Sequence, residues 1–176
     1  SKAYTEDDIS TQLQQDRNWR LREMSDLKSA INLADEVAKN VLLRALVTLC
    51  YAHWEGSVRR AAQKFLEHVA LRKFTFQSLD AQFLRNYFLP RLAALSTTKS
   101  SIPDRCKLLD DILGAKELRY SKANNDLVST RSNLNSDVLR DICLVCGVDF
   151  APFEADCDFI DIFLLKRRNE IAHGED

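Results

Sequence analysis

The sequence predicts an all-α fold, a helical bundle with long antiparallel helices, on three observations. Only 4 glycines and 3 prolines occur in 176 residues, which leaves few residues for tight turns. Apolar residues recur at three- and four-residue spacing over long stretches, as they do on amphipathic helices. No stretch shows a convincing strand pattern. Because a chain of this length can bury one core, we expect a single helical domain over residues 1–176.

Two long helices are predicted in the first half of the chain. The first covers residues 6–38, with a join or bend at Asp35 and Glu36. The second covers residues 40–72 and is apolar on more than one side, so we expect it at the centre of the bundle, packed by the first and last helices. Gly56 in its middle predicts the close approach of a neighbouring helix. Four apolar residues are expected to be buried: Val47, Trp54, Phe65 and Leu164.

Four further helices are predicted in the second half of the chain. Pro90 should disturb the first of them, and Gly114 and Gly147 should end the second and third. Residues 96–104 have the composition of a loop, and residues 115–133 are either irregular or a mobile excursion over the bundle. The four predicted helices are residues 78–95, 104–113, 136–146 and 154–174.

The charge of the chain limits how it can bind a polyanion. With 25 basic and 26 acidic residues the net charge is −1, so there is no global basic field to attract nucleic acid. Any contact with RNA must therefore be local.

The cysteines and the apolar runs indicate a reduced, cytoplasmic protein. Five cysteines are an odd number without a regular framework, which favours free thiols. Cys143, Cys146 and Cys157 lack an evident fourth ligand, so core thiols are a better interpretation than a metal site. No signal peptide is apparent, and the most apolar run, residues 41–52, is interrupted by Arg44 and is too short to cross a membrane. We therefore expect no membrane attachment, no metal and no other cofactor.

One cluster near the end of the chain is chemically versatile. Arg168, Asn169 and His173 lie together in the last predicted helix, and the sequence has no phosphate-binding loop or nucleophile elbow. A histidine exchanges a proton near neutral pH, and a guanidinium holds a phosphate through two parallel hydrogen bonds. Asparagine can orient a substrate oxygen. Because RNA supplies its own 2′-hydroxyl nucleophile, these groups suffice for cleavage without a metal.

Two interpretations of this cluster are open. On the residues alone, the more common one is an ordinary helix end, where basic side chains and a histidine before a glycine complement the helix dipole. The catalytic interpretation meets a geometric difficulty, since five positions on an ideal helix turn about 500° and place Arg168 and His173 about 140° apart. Two copies of the helix meeting in a homodimer would remedy this divergence.

Two parts of the chain resemble the HEPN superfamily. The end of the sequence, LLKRRNEIAHGED, resembles the terminal HEPN motif, in which an arginine, a polar residue and a histidine form a ribonuclease site. Blocks of the bacterial MAE-type HEPN-like nuclease family are similar to YAHWEGSVRRAAQKFLEHVA and to GVDFAPFEADCDFIDIFLLKRRNEIAHG. The resemblance implies an all-α, usually dimeric, metal-independent endoribonuclease of a toxin–antitoxin or anti-phage defence system. Some HEPN domains are instead non-catalytic binders.

The resemblance also implies roles for single residues. Arg168 would clamp the phosphate, His173 would transfer protons, and Asn169 would position the group under attack. Lys166 and Arg167 are candidate contacts to the RNA backbone.

The second matching block contains the run His53, Trp54 and Glu55. Trp54 lies on the apolar stripe, so we expect it in the core. For His53 and Glu55, a structural polar pair and a role in supporting the site are both open. Family members commonly continue into further helix after the histidine, whereas this sequence ends three residues after His173. We therefore expect either a truncated C-terminus or a missing closing helix.

The leading hypothesis for function is a homodimeric, metal-independent endoribonuclease that cleaves RNA by attack of the 2′-hydroxyl. An antitoxin or another defence-system protein would be its partner. The alternative is a non-catalytic helical module that binds RNA, a nucleotide or a partner protein. The near-neutral charge favours the alternative, because it predicts a weak non-specific hold on RNA.

Overall fold

The fold is helical, as the sequence predicts. A computed structural model describes residues 2–97, 100–130 and 133–175. No strand occurs in these ranges, where an isolated β-bridge pairs Thr75 with Arg119. Six α-helices are found in the same ranges. They are α1 (Glu6–Leu33), α2 (Glu36–Arg72), α3 (Ala81–Thr97), α4 (Ile102–Leu113), α5 (Ser136–Cys146) and α6 (Arg167–His173).

The chain divides into two compact units. The first unit comprises Ser1–Ile9, Ala62–Ser129 and Asp141–Asp149. The second unit comprises Ser10–Ala61, Thr130–Arg140 and Phe150–Asp176. The single domain expected from the sequence stays a prediction.

In the second unit, α1 and α2 pack antiparallel. Asp16 of α1 pairs with Arg60 of α2 at 3.1 Å, and Met24 of α1 lies 3.7 Å from Cys50 of α2. A later residue of α1 thus contacts an earlier residue of α2, as in an antiparallel pair. The two helices are joined at residues 34–35, where the Asp35 carboxylate accepts a hydrogen bond from a backbone N–H in the first turn of α2 at 2.8 Å. The predicted join and the antiparallel arrangement are both confirmed.

The four residues expected to be buried are only half-buried. These are Val47, Trp54, Phe65 and Leu164. In the part of α2 that belongs to the first unit, the buried residues recur every four positions: Ala62, Leu66 and Ala70. This row is shifted by one position, about 100° around the helix, from Phe65, which was expected to be buried. Both rows are apolar, and the sequence pattern could not decide which of them faces the core.

The first unit has an aromatic core tied to an irregular segment. Tyr120 is fully buried, and its hydroxyl donates to Asn86 Oδ1 at 2.8 Å. The amide of Asn86 donates to the carbonyl of Asn124 at 3.0 Å. The described part of residues 115–133 contains two 3₁₀ turns, Ala115–Glu117 and Asn125–Val128. It is irregular, as one of the two predictions had it, while residues 131–132 lie outside the described part.

The helix ends in the second half follow local sequence signals. Ser101 forms a capping box at the start of α4, which begins two residues earlier than predicted. Asn135 accepts from a backbone N–H of α5 at 2.8 Å, and Gly147 follows that helix with a φ of +68°. Helix α3 continues through Pro90 without ending. It runs beyond its predicted end and shortens the predicted loop 96–104, of which residues 98–99 lie outside the described part.

The segment that leads into α6 is not the regular α-helix predicted for residues 154–174. A 3₁₀-helix covers Ala151–Asp156, and a π-helix covers Phe159–Lys166 before α6 begins. Pro152 lies in the first turn of the 3₁₀-helix, where its missing N–H leaves no helical hydrogen bond unmade. The prediction missed the change of winding because apolar residues four apart still share a face. Phe159 and Phe163, for example, stack with ring centroids 5.9 Å apart.

Candidate active site

Arg168, near the start of α6, contacts Tyr51, Glu55 and Asn169 in the second unit. Its guanidinium carbon lies 4.1 Å from the centre of the Tyr51 ring, within the range of a cation–π interaction. Its Nη1 donates a hydrogen bond to Asn169 Oδ1 at 2.9 Å. Its Nη2 lies 3.9 Å from Glu55 Oε2, an ion pair longer than a hydrogen bond. The arginine is therefore oriented by a ring face, an amide oxygen and a carboxylate.

Tyr51 is itself fixed in place. Only 2% of the residue is exposed, and its hydroxyl accepts a hydrogen bond from the backbone N–H of Leu134 at 2.6 Å. Burial raises the pKa of the phenol, and the nearby negative charge of Glu55 acts in the same direction. Tyr51 is therefore neutral at physiological pH and presents its ring, rather than a charge, to Arg168.

Glu55 lies one helical turn beyond Tyr51 on α2. Its Oε1 accepts a short hydrogen bond from the hydroxyl of Thr130, a buried residue. The other carboxylate oxygen faces Arg168. Because Thr130 holds the carboxylate, Glu55 offers a fixed negative charge at the edge of the guanidinium.

His173 opens on a groove along the last helical segment. The groove has a volume of about 330 Å³, and four of its lining residues recur every fourth position: Asp161, Leu165, Asn169 and His173. His173 is exposed and stands at the end of α6, where Gly174 caps the helix with a φ of +74°. The remaining lining residues are Lys166, Glu170 and Glu175.

Asn169 connects the two halves of the candidate site. Its side chain binds Arg168, and it also lines the groove with His173. Arg168 lies over Tyr51 and is not part of the groove lining. Within one chain, Arg168 and His173 therefore face different surroundings, in line with the divergence that helical geometry predicts.

Lys166 and Arg167, the predicted RNA contacts, are exposed but meet an acidic neighbour. Lys166 Nζ lies 3.9 Å from one oxygen of Glu170, and Arg167 Nη1 lies 3.6 Å from the other. Glu170 therefore partly offsets both positive charges beside the groove.

His53 and Glu55 do not form a pair with each other, because residues two positions apart on a helix face different directions. Glu55 lies beside Arg168, whereas buried His53 faces α1. His53 Nδ1 lies 3.3 Å from Arg20 Nη1, and since arginine can only donate, Nδ1 accepts and the proton sits on Nε2. Glu23 Oε2 lies 2.8 Å from Nε2 without alignment for a hydrogen bond, so this contact is electrostatic.

A buried polar network around Asp16 accompanies His53 and was missed in the sequence. Asp16 accepts from Arg20 at 2.8 Å and 3.2 Å and from the Trp19 indole at 3.2 Å, and it pairs with Arg60. Burial raises the pKa of Asp16, but these donors and positive charges outweigh burial and lower it overall. The only signal in the sequence was an aspartate four residues before an arginine on a helix.

Gly56 is explained by the same network. A Cβ at this position would lie 2.8 Å from Arg20 Nη1, so the guanidinium would have to shift. The group that approaches Gly56 is the end of the Arg20 side chain, and the predicted close approach of a neighbouring helix stays a prediction.

The cysteines and acidic residues do not gather into a cation site. No group of three or more His, Cys, Asp or Glu side chains with metal-binding geometry occurs within residues 2–97, 100–130 and 133–175. Cys143 and Cys146 are buried on α5, as predicted for core thiols, and burial raises the pKa of Cys146 to about 12. Among the described residues, no helix is both long enough and apolar enough to span a membrane.

An all-α fold with arginine, asparagine and histidine on its last helix is what the resemblance to HEPN domains implies, and the comparison with protein families supports that resemblance. The sequence model of the RiboL-PSP-HEPN family matches residues 15–176. The chain belongs to this family, which confirms the resemblance to the HEPN superfamily. No curated protein matches the chain, and no solved structure matches it.

Proposed function

We propose that this protein is a metal-independent endoribonuclease that uses the 2′-hydroxyl of RNA as its nucleophile. The observation that carries the proposal is the arrangement around Asn169. This residue binds the preset guanidinium of Arg168 and lines the same groove as His173. A phosphate clamp, a polar positioning group and a proton-transfer group thus lie on one short helix.

The chemistry follows from what these groups can do. His173 takes the proton of the 2′-hydroxyl, and the freed oxygen attacks the adjacent phosphorus. The bond from phosphorus to the 5′-oxygen breaks, and that oxygen receives a proton from a general acid. Arg168 stabilises the extra negative charge on the phosphoryl oxygens. The products are a 2′,3′-cyclic phosphate and a 5′-hydroxyl.

A homodimer is part of the proposal, because Arg168 and His173 diverge in one chain. The last helical segment offers a surface for a second copy, since Phe159, Ile162 and Phe163 are 54%, 50% and 63% exposed. In an isologous dimer through this surface, both copies of α6 approach the two-fold axis. The second His173 would then serve as the general acid. If light scattering at high protein concentration gave the molar mass of a monomer, the result would contradict this arrangement.

A non-catalytic binding module is the second candidate, and one observation favours it. Glu170 pairs with both Lys166 and Arg167, which weakens the local positive field that RNA needs.

For the biological role of the ribonuclease, we propose a cytoplasmic toxin or defence factor that is restrained by a partner protein.

The decisive experiment is RNA cleavage in excess EDTA by the parent, by His173→Ala and by a control, Lys28→Ala, at an exposed position of α1. Parent and control should cut equally well with and without chelator. His173→Ala should lose about 10²–10⁴ in rate, as expected when one positioned acid–base group is removed. RNA with a 2′-O-methyl group at the cut site should resist, and its cleavage at the same bond would refute the mechanism.

A further inference from the structure

We propose that Tyr51 is a positioning residue that presets Arg168 for phosphate binding. The proposal rests on the proposed ribonuclease function, but it also makes a claim about the arginine that can be tested without cleavage. Tyr51 belongs to an apolar stripe of α2, and its sequence context gives no hint of a part in the site.

The contact between Arg168 and Tyr51 lies within the second unit and involves a buried ring. The guanidinium carbon stands 4.1 Å from the ring centre, and only 2% of Tyr51 is exposed. A cation–π contact gains strength when water is excluded from one side, as it is here. The hydrogen bond from Leu134 N–H at 2.6 Å holds the far end of the ring in place, and the packing around the buried ring holds its face toward Arg168.

The benefit to function is preorganisation. A free arginine side chain loses rotamer entropy when it binds a phosphate. With one face on Tyr51 and Nη1 bonded to Asn169, much of this cost is met before RNA arrives. Glu55 at 3.9 Å adds orientation by charge without forming a hydrogen bond that a phosphate would have to displace.

Two groups of Tyr51 contribute differently, and this distinguishes a positioning role from a purely structural one. The ring face contacts Arg168, whereas the hydroxyl accepts from the buried N–H of Leu134 and also interacts with Arg168. Tyr51→Phe keeps the face and leaves that N–H unpaired, so it should lower stability more than activity. Tyr51→Leu removes both groups. If Tyr51 had only a structural role, the loss of kcat would be proportional to the loss of Tm in both variants.

The experiment measures Tm, kcat and KM for the parent, Tyr51→Phe, Tyr51→Leu and a control, Tyr120→Phe. The control removes another buried tyrosine hydroxyl bond, at 2.8 Å to Asn86, without touching Arg168. We expect the control to lose Tm while kcat stays within about threefold of the parent, and Tyr51→Phe to lose Tm with a smaller fall in kcat than Tyr51→Leu. Tyr51→Leu should lower kcat about 10- to 100-fold with a smaller change in KM, as for a misplaced catalytic group. Tyr51→Met replaces Tyr51→Leu if the latter does not fold.

An NMR readout keeps this proposal separate from the ribonuclease proposal. The Arg168 Nε–H resonance should show an upfield ring-current shift in the parent and in Tyr51→Phe, and the shift should vanish in Tyr51→Leu. If the parent cuts no RNA but the shift behaves in this way, the ribonuclease function fails while the positioning of Arg168 stands. An unshifted Arg168 resonance in the parent, parental kcat in Tyr51→Leu, or equal kcat losses in both Tyr51 variants would overturn the positioning role.

Discussion

Arg168 Nη1 donates a hydrogen bond to Asn169 Oδ1 at 2.9 Å, although the two residues are direct neighbours on α6. The bond turns the arginine and the asparagine into one polar unit. Since Asn169 also lines the groove beside His173, its orientation is coupled to both halves of the candidate site. The polar residue after the arginine is therefore expected to act through position rather than through charge.

Replacing Asn169 tests this coupling. Asn169→Ala should lower kcat about 10- to 100-fold, because Arg168 loses one of its orienting bonds, and it should change Tm little because α6 is at the surface. Asn169→Asp keeps the acceptor oxygen but adds a negative charge beside Arg168, so RNA affinity should fall as well. Steady-state cleavage together with RNA titrations distinguishes the two effects. Parental kcat for Asn169→Ala would remove Asn169 from the mechanism.

Glu170→Gln should strengthen RNA binding. The carboxylate lies 3.9 Å from Lys166 and 3.6 Å from Arg167, and neutralising it frees both charges for phosphates. Exposed ion pairs are worth about 0–1 kcal/mol, so we expect a gain in affinity of up to about fivefold. The dependence of log K on log salt should also become steeper.

A matched control for Glu170→Gln is Glu154→Gln, which breaks a similar exposed pair with Arg140 at 3.8 Å in the same unit. It should leave RNA affinity unchanged. Equal gains for both variants would show that only net charge matters, and the specific role of Glu170 would then be wrong.

The sequence identified the helices of this fold better than it identified their faces. The helix ends at Asp35, Ser101 and Gly147 are set by capping residues, which can be recognised from the sequence alone. Which side of a long apolar helix is buried depends on its neighbours, so beyond Ala61 the buried row lies one position away from Phe65, which was expected to be buried. The π-helical winding of Phe159–Lys166 leaves no distinct periodicity to detect.

The candidate site was predictable only as far as its motif. Arg168, Asn169 and His173 stand close together in sequence and could be found by their chemistry. Tyr51 and the buried network of Asp16 could not be found in that way. Tyr51 has the pattern of a core residue, and its second role arises only when α6 brings an arginine over its ring.

Stability of the fold should depend on the charge of Asp16. Its pKa is lowered by its donors and cations, so the ionised form stabilises the protein above the unfolded-state pKa of about 3.9. This contribution is lost as pH falls through the lower folded-state pKa. Asp16→Asn should lower the free energy of unfolding at neutral pH, and the loss should become progressively smaller below about pH 4.

Denaturant unfolding between about pH 2 and pH 7 measures this loss, with Asp26→Asn, an exposed residue of the same helix, as the control. The control should follow the parent throughout. A destabilisation by Asp16→Asn that is equally large at both ends of the range would show that packing, rather than charge, makes Asp16 important.

Arg168→Lys is the sharpest single test of how the candidate site handles a phosphate. Lysine keeps the positive charge, so RNA affinity should fall only a few-fold. It has no planar fork to hold two phosphate oxygens and no flat face to stack on Tyr51, so the charge is neither oriented nor shared as the phosphoryl oxygens become more negative. Because the missing interaction matters most in the transition state, kcat should fall about 10²–10³-fold with little change in KM. Full activity in Arg168→Lys would mean that only charge is required, and the stacked, preset guanidinium would then have no part in catalysis.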